Sequence, residues 1–130
     1  MNTEDISRFA VVGAGSMGHA IAQEFARLGY QVSLNDVSGE CLTAALVNIE
    51  SNLKMMVDVG LSTAKEAAAV PGRIVTSTDL AKTVSQADVV IEVAPEDLAL
   101  KQELFDRLDR LCPERTILAS SSSTIMPGVL

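Results

Sequence analysis

Residues 11–22 read VVGAGSMGHAIA, with Gly13, Gly15 and Gly18 inside a largely apolar run. A hydrophobic core gains nothing from positions that lack side chains. The spacing therefore asks what comes close to the backbone here. Upstream, Phe9 to Val12 reads as a short buried strand. From Ser16 the period changes: Met17, Ala20, Ile21, Phe25 and Leu28 recur at helical spacing, and Gly29 suits a helix C-terminus. The glycines thus fall between a strand and a helix as G-x-G-x-x-G. A second strand, Val32 to Leu34, ends at Asn35–Asp36, which puts Asp36 18 residues beyond Gly18. That is the context in which the motif binds a dinucleotide.

Each glycine then has a task. Gly13 permits the tight turn, Gly15 lets a pyrophosphate touch the backbone, and Gly18 lets the helix pack close to the sheet. Ser16 and Met17 belong to the same loop, at a helix N-terminus whose free N–H groups and dipole favour an anion. A carboxylate at Asp36 can accept both hydroxyls of an adenosine ribose and would repel a 2′-phosphate. Val37–Ser38 offers no arginine to hold one, so the cofactor reads as NAD rather than NADP. The competing reading is an ordinary tight turn, with Asp36 capping the next helix.

Downstream, strands and helices alternate. A long helix from about Ser38 carries Leu42, Ala45, Leu46, Ile49, Leu53, Met56 and Val57 on one stripe and ends at Gly60. Ser62 is expected to cap a short Ala-rich helix that stops at Pro71–Gly72. Ile74–Val75 is a brief third strand, and Thr78 is expected to cap a helical turn over Asp79–Val84. Asp88 to Val93 is a fourth strand, Asp97 to Leu111 an amphipathic helix, and Thr116 to Ala119 a fifth strand. Strands 1, 4 and 5 read as buried on both faces. The pattern predicts an α/β fold, a doubly wound parallel sheet with helices on both faces, in strand order 3-2-1-4-5. Residues 1–130 form one dinucleotide-binding domain in this reading.

Composition narrows the partners. The chain has 130 residues, 48% hydrophobic and 3% aromatic, so its core must come from Ala, Val, Leu, Ile and Met. A net charge of −7 argues against a nucleic-acid surface and against docking on anionic membranes. No run is long enough to span a membrane, and the acidic, polar MNTEDISRFA lacks a signal-peptide pattern. Cys41 and Cys112 allow one disulfide, but free thiols in a reducing cytoplasm are the expectation. His19 has no second His or Cys nearby, so no metal site is expected.

GAGSMGHAIA, Asp36, ADVVIEVAPEDLALKQELFDRLD (87–109) and TILASSSSTI (116–125) together resemble the L-3-hydroxyacyl-CoA dehydrogenase family over nearly the whole chain. The resemblance implies that Glu96 lies near the nicotinamide half of NAD and that Lys101 matches a lysine on the following helix. The four serines match the family's S-N-T-S-S. In that register Ser121 replaces the Asn and loses an amide contact, and Ser123 hydrogen-bonds the reacting substrate oxygen. Strand ends 4 and 5 suit that role without the resemblance, because such sheets bind ligands at their carboxyl edge. Ordinary alternatives are a polar serine loop, Glu96 as a helix-terminal carboxylate, and Lys101 as a solvated residue paired with Asp97.

The resemblance also implies a catalytic His, its Glu partner, a later Asn and a helical substrate and dimerisation domain, all beyond residue 130. These residues then hold the cofactor half of an enzyme and part of its substrate site. The implied reaction is oxidation of an L-3-hydroxyl to a 3-keto group by NAD, in a cytoplasmic homodimer of fatty-acid metabolism. The substrate is a 3-hydroxyacyl-CoA. Alternatively it is a small 3-hydroxy acid of the gulonate or carnitine type, because the helix after strand 2 has only Lys54 against Glu40, Glu50 and Asp58. NIESNLKMMVDVGL and SSSSTIMPG also resemble that branch. A third reading is a non-catalytic NAD-binding module.

Overall fold

The computed structural model describes residues 6–93, 98–113 and 116–120. Five strands, β1 (Arg8–Val12), β2 (Gln31–Asn35), β3 (Ile74–Ser77), β4 (Val89–Glu92) and β5 (Ile117–Ser120), form one sheet in the order β3-β2-β1-β4-β5. Every pairing is parallel. The expected order holds. Between the strands run α1 (Ser16–Arg27), α2 (Gly39–Asp58), α3 (Ala64–Ala69), α4 (Leu80–Val84) and α5 (Leu98–Leu111). A 3-10 turn, Pro71–Arg73, leads into β3.

The period-2 alternation of β1 divides the core. Val11 faces a cluster with Leu34, Ala22, Ala26, Leu42, Ala45, Ile49 and Leu53, from β2, α1 and α2. Ala10 and Val12 face the opposite cluster, with Leu80, Val84, Val90 and Leu108 from α4, β4 and α5. Covering both faces is what makes RFAVV and VVIE nearly continuous in apolar residues.

Several expectations shift by a residue or a face. Thr63, not Ser62, caps α3: its Oγ1 accepts from the Glu66 N–H at 3.1 Å, while Ser62 Oγ donates to the Thr63 carbonyl. Asp79, not Thr78, caps α4, accepting from the Lys82 N–H at 3.1 Å. Its carboxylate sits directly before Leu80, the first helical residue. On α1 the buried side is Gly18, Ala22, Gln23 and Ala26, while Met17 and Ala20 face outward. Gly18 must face the β1 turn, and that rotates the stripe. On α2 Leu46 is also exposed. Among the described residues no Met is in the buried core; the half-buried Met56 Sδ instead lies 3.6 Å from Gln23 Nε2. β5 is not buried on both faces. Ile117 is exposed and Leu118 and Ala119 are half-buried, because β5 is the edge strand of the described sheet.

Candidate functional site

The carboxyl edge of the sheet gathers the β1–α1 turn, the end of β2 and the end of β4. Gly13 adopts φ +113°, a region open to glycine, and its N–H donates to the Asn35 carbonyl at 2.7 Å. Gly18 is fixed by contact rather than torsion. A Cβ there would lie 1.7 Å from the Gly13 carbonyl oxygen and 3.0 Å from Val93 Cγ2. Helix α1 therefore rests directly on the turn before it, as well as against the end of β4.

Gly15 differs from both. Its φ is −71°, which any residue adopts, and a Cβ there would meet nothing within 4 Å. Nothing in the fold requires glycine at this position. Gly15 is also the N-cap of α1, where a Ser, Thr or Asp would satisfy free amides. Helices α2, α3 and α4 have such caps in Ser38, Thr63 and Asp79. Helix α1 has no side-chain cap and no acidic residue in its first turn. Its first amides, at the exposed Ser16 and Met17, are left for an acceptor from outside, and the helix dipole favours an anion.

Asp36 stands across from this turn. Its Oδ2 accepts from the Ala14 N–H and its Oδ1 from the Ser38 N–H, both at 2.9 Å. The carboxylate thus ties the glycine turn to the start of α2. It does not cap α2; Ser38 Oγ does, accepting from the Cys41 N–H at 3.3 Å. Each carboxylate oxygen keeps a further lone pair for a ribose hydroxyl. Asn35, 4% exposed, anchors this corner from below, its Nδ2 donating to the Ser77 carbonyl at 3.0 Å. Sequence reading passed over Asn35, although a polar residue closing an apolar strand was a usable signal.

A cleft of about 500 Å³ opens here, with Gly13, Gly15, Asp36, Val37, Leu80 and Arg107 on its wall. Arg107 comes from α5, 71 positions from Asp36 (107 − 36). The expectation that no arginine is at hand considered only Val37–Ser38; the fold brings one from a distant helix. Glu92 is fully buried in β4, in register with Val12 and Ser120. It too went unnoticed within DVVIEV.

Other expected residues divide between the described and undescribed parts. Lys101 lies on α5, and Ser120 is the last residue of β5. Glu96, Ser121, Ser122 and Ser123 lie outside the described residues. His19 is half-buried in the first turn of α1, its Nδ1 3.0 Å from the Gly15 carbonyl oxygen. Cys41 and Cys112 are free, and burial followed by the nearby Asp109 pushes the Cys112 thiol up. Among the described residues no cluster of acidic, His or Cys side chains is suited to a metal ion. No helix among them is long and apolar enough to cross a membrane.

Known proteins match this arrangement closely. The family described as 3-hydroxyacyl-CoA dehydrogenase, NAD binding domain, matches residues 8–130. A probable 3-hydroxybutyryl-CoA dehydrogenase of Bacillus subtilis is 40% identical over 121 residues, which are 93% of this chain and 42% of that protein. A lambda-crystallin homolog of Mus musculus is 35% identical over 125 residues, 92% of this chain and 38% of that protein. The crystal structure of 3-hydroxybutyryl-CoA dehydrogenase from Escherichia coli K12 superposes with a TM-score of 0.92 at 37% identity, covering 96% of this chain and 26% of that one. The chain thus spans less than half the length of these relatives.

Proposed function

This chain belongs to the 3-hydroxyacyl-CoA dehydrogenase family as its NAD-binding domain, and from that premise we propose that it holds NAD at the carboxyl edge for oxidation of an L-3-hydroxyl to a 3-keto group. The observation that carries the assignment is Gly15, an open glycine that the fold does not need, at the N-terminus of an uncapped helix. A pyrophosphate fits that place: it requires close approach to the backbone and free amides. The residues present therefore suit the cofactor.

Gly15, Ser16 and Met17 offer the pyrophosphate an open backbone and main-chain amides, while Gly13 shapes the turn and Gly18 seats α1 against it. Asp36 accepts from the adenosine ribose and disfavours a 2′-phosphate. Toward β4 and β5, Glu96, Lys101 and Ser121 complete the cofactor site, and Ser123 hydrogen-bonds the reacting oxygen. NAD, when bound, supplies the hydride acceptor. A serine hydroxyl suits the oxygen because it can accept from an alcohol and donate to a ketone without adding charge. The base that takes the hydroxyl proton lies outside these 130 residues. The whole protein is a cytoplasmic homodimer of fatty-acid metabolism, binding neither nucleic acid nor membrane.

The substrate is a 3-hydroxyacyl-CoA. A second reading, a small 3-hydroxy acid without CoA, is favoured by α2, where Lys54 stands against Glu40, Glu50 and Asp58, a poor setting for CoA phosphates. Dehydrogenation assays of the whole protein with one substrate of each kind separate the two. Within that assay, Ser123→Ala should lower kcat by the equivalent of about 1–3 kcal/mol, the range for a lost buried hydrogen bond. NAD affinity should change less, and Ser122→Ala should do much less to either. A more damaging Ser122→Ala would remove Ser123 from its role. Robust turnover by the 130 residues alone would place the base within them and contradict the proposal.

A further inference from the structure

Arg107 is a cation that the proposed chemistry leaves unused. It lies on α5, one turn beyond the half-buried Leu104, and both side chains reach the cleft that Asp36 and Gly15 border. Glu103 is four residues earlier on the same helix, the spacing at which a carboxylate would ordinarily hold an arginine. No such pair forms. Among the described residues the ion pair observed joins Arg27 to Glu24 at 3.1 Å. The guanidinium is instead left to the cleft.

Its neighbours there indicate what it meets. Beside Asp36 the wall of the cleft is Val37 just past β2, Thr78 and Leu80 after β3, and Leu104 from α5. This is an apolar slot beside a carboxylate suited to a ribose, so a flat base attached to that ribose would enter it. The exposed Val37, with Leu80 and Leu104, offers a base apolar contact but no hydrogen bond. Adenine presents ring-nitrogen acceptors and a π face; arginine has only donors and a planar cation that stacks on such a face. We infer that Arg107 is a specificity-determining residue of the cofactor site, its guanidinium closing the slot over the adenine base. The inference rests on the dinucleotide reading above and adds a base-recognition element drawn from α5.

The test is calorimetric titration of the chain with NAD and, separately, with AMP, which carries the adenine and ribose but not the nicotinamide. Three variants are compared with the parent. Arg107→Ala removes the guanidinium from an exposed helix position, where Ala is well tolerated. Arg107→Lys keeps the charge and loses the plane. Arg110→Ala, on the same helix but outside the cleft wall, makes the same change in net charge. Arg107→Ala is expected to raise both dissociation constants by a common factor of about five to ten, between an exposed and a desolvated cation–π contact. Arg107→Lys keeps a cation but loses the planar stack and the fork of donors, so it should recover only part of the loss, and Arg110→Ala should stay within about twofold of the parent.

Equal effects of Arg107→Ala and Arg110→Ala would reduce Arg107 to general electrostatics and overturn the inference. Full rescue by lysine would do the same. A loss for NAD without one for AMP would place Arg107 away from the base, again contradicting it. If the parent itself bound neither ligand, the dinucleotide site would fall, and this inference with it; the parent titration alone distinguishes that case.

Discussion

Two aspartates sit at opposite edges of one sheet and do similar backbone chemistry to different ends. At the amino edge Asp88 Oδ2 accepts from the Ser7 N–H at 2.9 Å, the Arg8 N–H at 3.0 Å and the Ser7 hydroxyl at 3.4 Å. Its main chain extends the staple: the Asp88 N–H donates to the Arg8 carbonyl and the Ile117 N–H to the Asp88 carbonyl. Phe9 stacks on Phe25 at 4.0 Å and meets Tyr30 edge-on at 4.9 Å toward the same end. Asp88 is 4% exposed. At the carboxyl edge Asp36 likewise binds two backbone amides, yet it lines an open cleft next to a glycine turn. Asp88 itself is sealed among backbone groups, although a cleft of about 420 Å³ opens near it between Arg8, Gln31, Val75 and Gln86. Asp36 is held in shape but left open beside an uncapped helix terminus, and that difference makes it the aspartate suited to a ligand.

The contrast breaks most violently at Gly18. Its absent Cβ is the contact that lets α1 sit on the turn, so Gly18→Ala forces backbone apart. A loss of about 3 kcal/mol, the upper end for overpacking, is expected in urea denaturation, together with weaker NAD binding. Next is Asp88→Ala, which strands two amides at the amino edge. About 2–3 kcal/mol of stability should be lost, with the NAD dissociation constant of the folded molecules unchanged. Asp36→Ala should give the crossed pattern: a smaller stability loss, and a shift of at least about tenfold in the ratio of NAD to NADP affinity, or 1.4 kcal/mol. If both aspartate variants lost stability equally and neither altered binding, the distinction between the two aspartates would be wrong.

Much of this was legible in the sequence because the signals were local. The G-x-G-x-x-G turn, the strand order and the positive φ at Gly13, Gly29 and Gly60 follow from residue type and spacing within a few positions. What escaped were long-range relations. Arg107 lies 71 positions from Asp36 (107 − 36), and no local pattern marks it as a neighbour. Asp88 reads as the polar start of a strand until the fold sets it 80 positions back against Arg8. The shifted caps at Thr63 and Asp79 came from adjacent oxygens competing for the same amides, a choice decided by geometry rather than composition. The outward Met17 followed from the demand of Gly18 to face the turn, where a Cβ would lie 1.7 Å from the Gly13 carbonyl oxygen.

Gly15 is the most direct test of the dinucleotide site, since of the three glycines in the β1–α1 turn it is the one whose Cβ position the fold leaves empty. Replacing it with alanine adds one methyl group into open space and changes an N-cap at a cost below about 1 kcal/mol. The measurement is one protein preparation followed twice, by urea denaturation and by calorimetric titration with NAD. The expected result is a midpoint close to that of the parent and an NAD dissociation constant raised at least about tenfold, equivalent to 1.4 kcal/mol, because the methyl occupies the place of the pyrophosphate. An unchanged NAD affinity in the stably folded variant would show that nothing approaches the backbone there, and would contradict the assignment of this edge as the dinucleotide site.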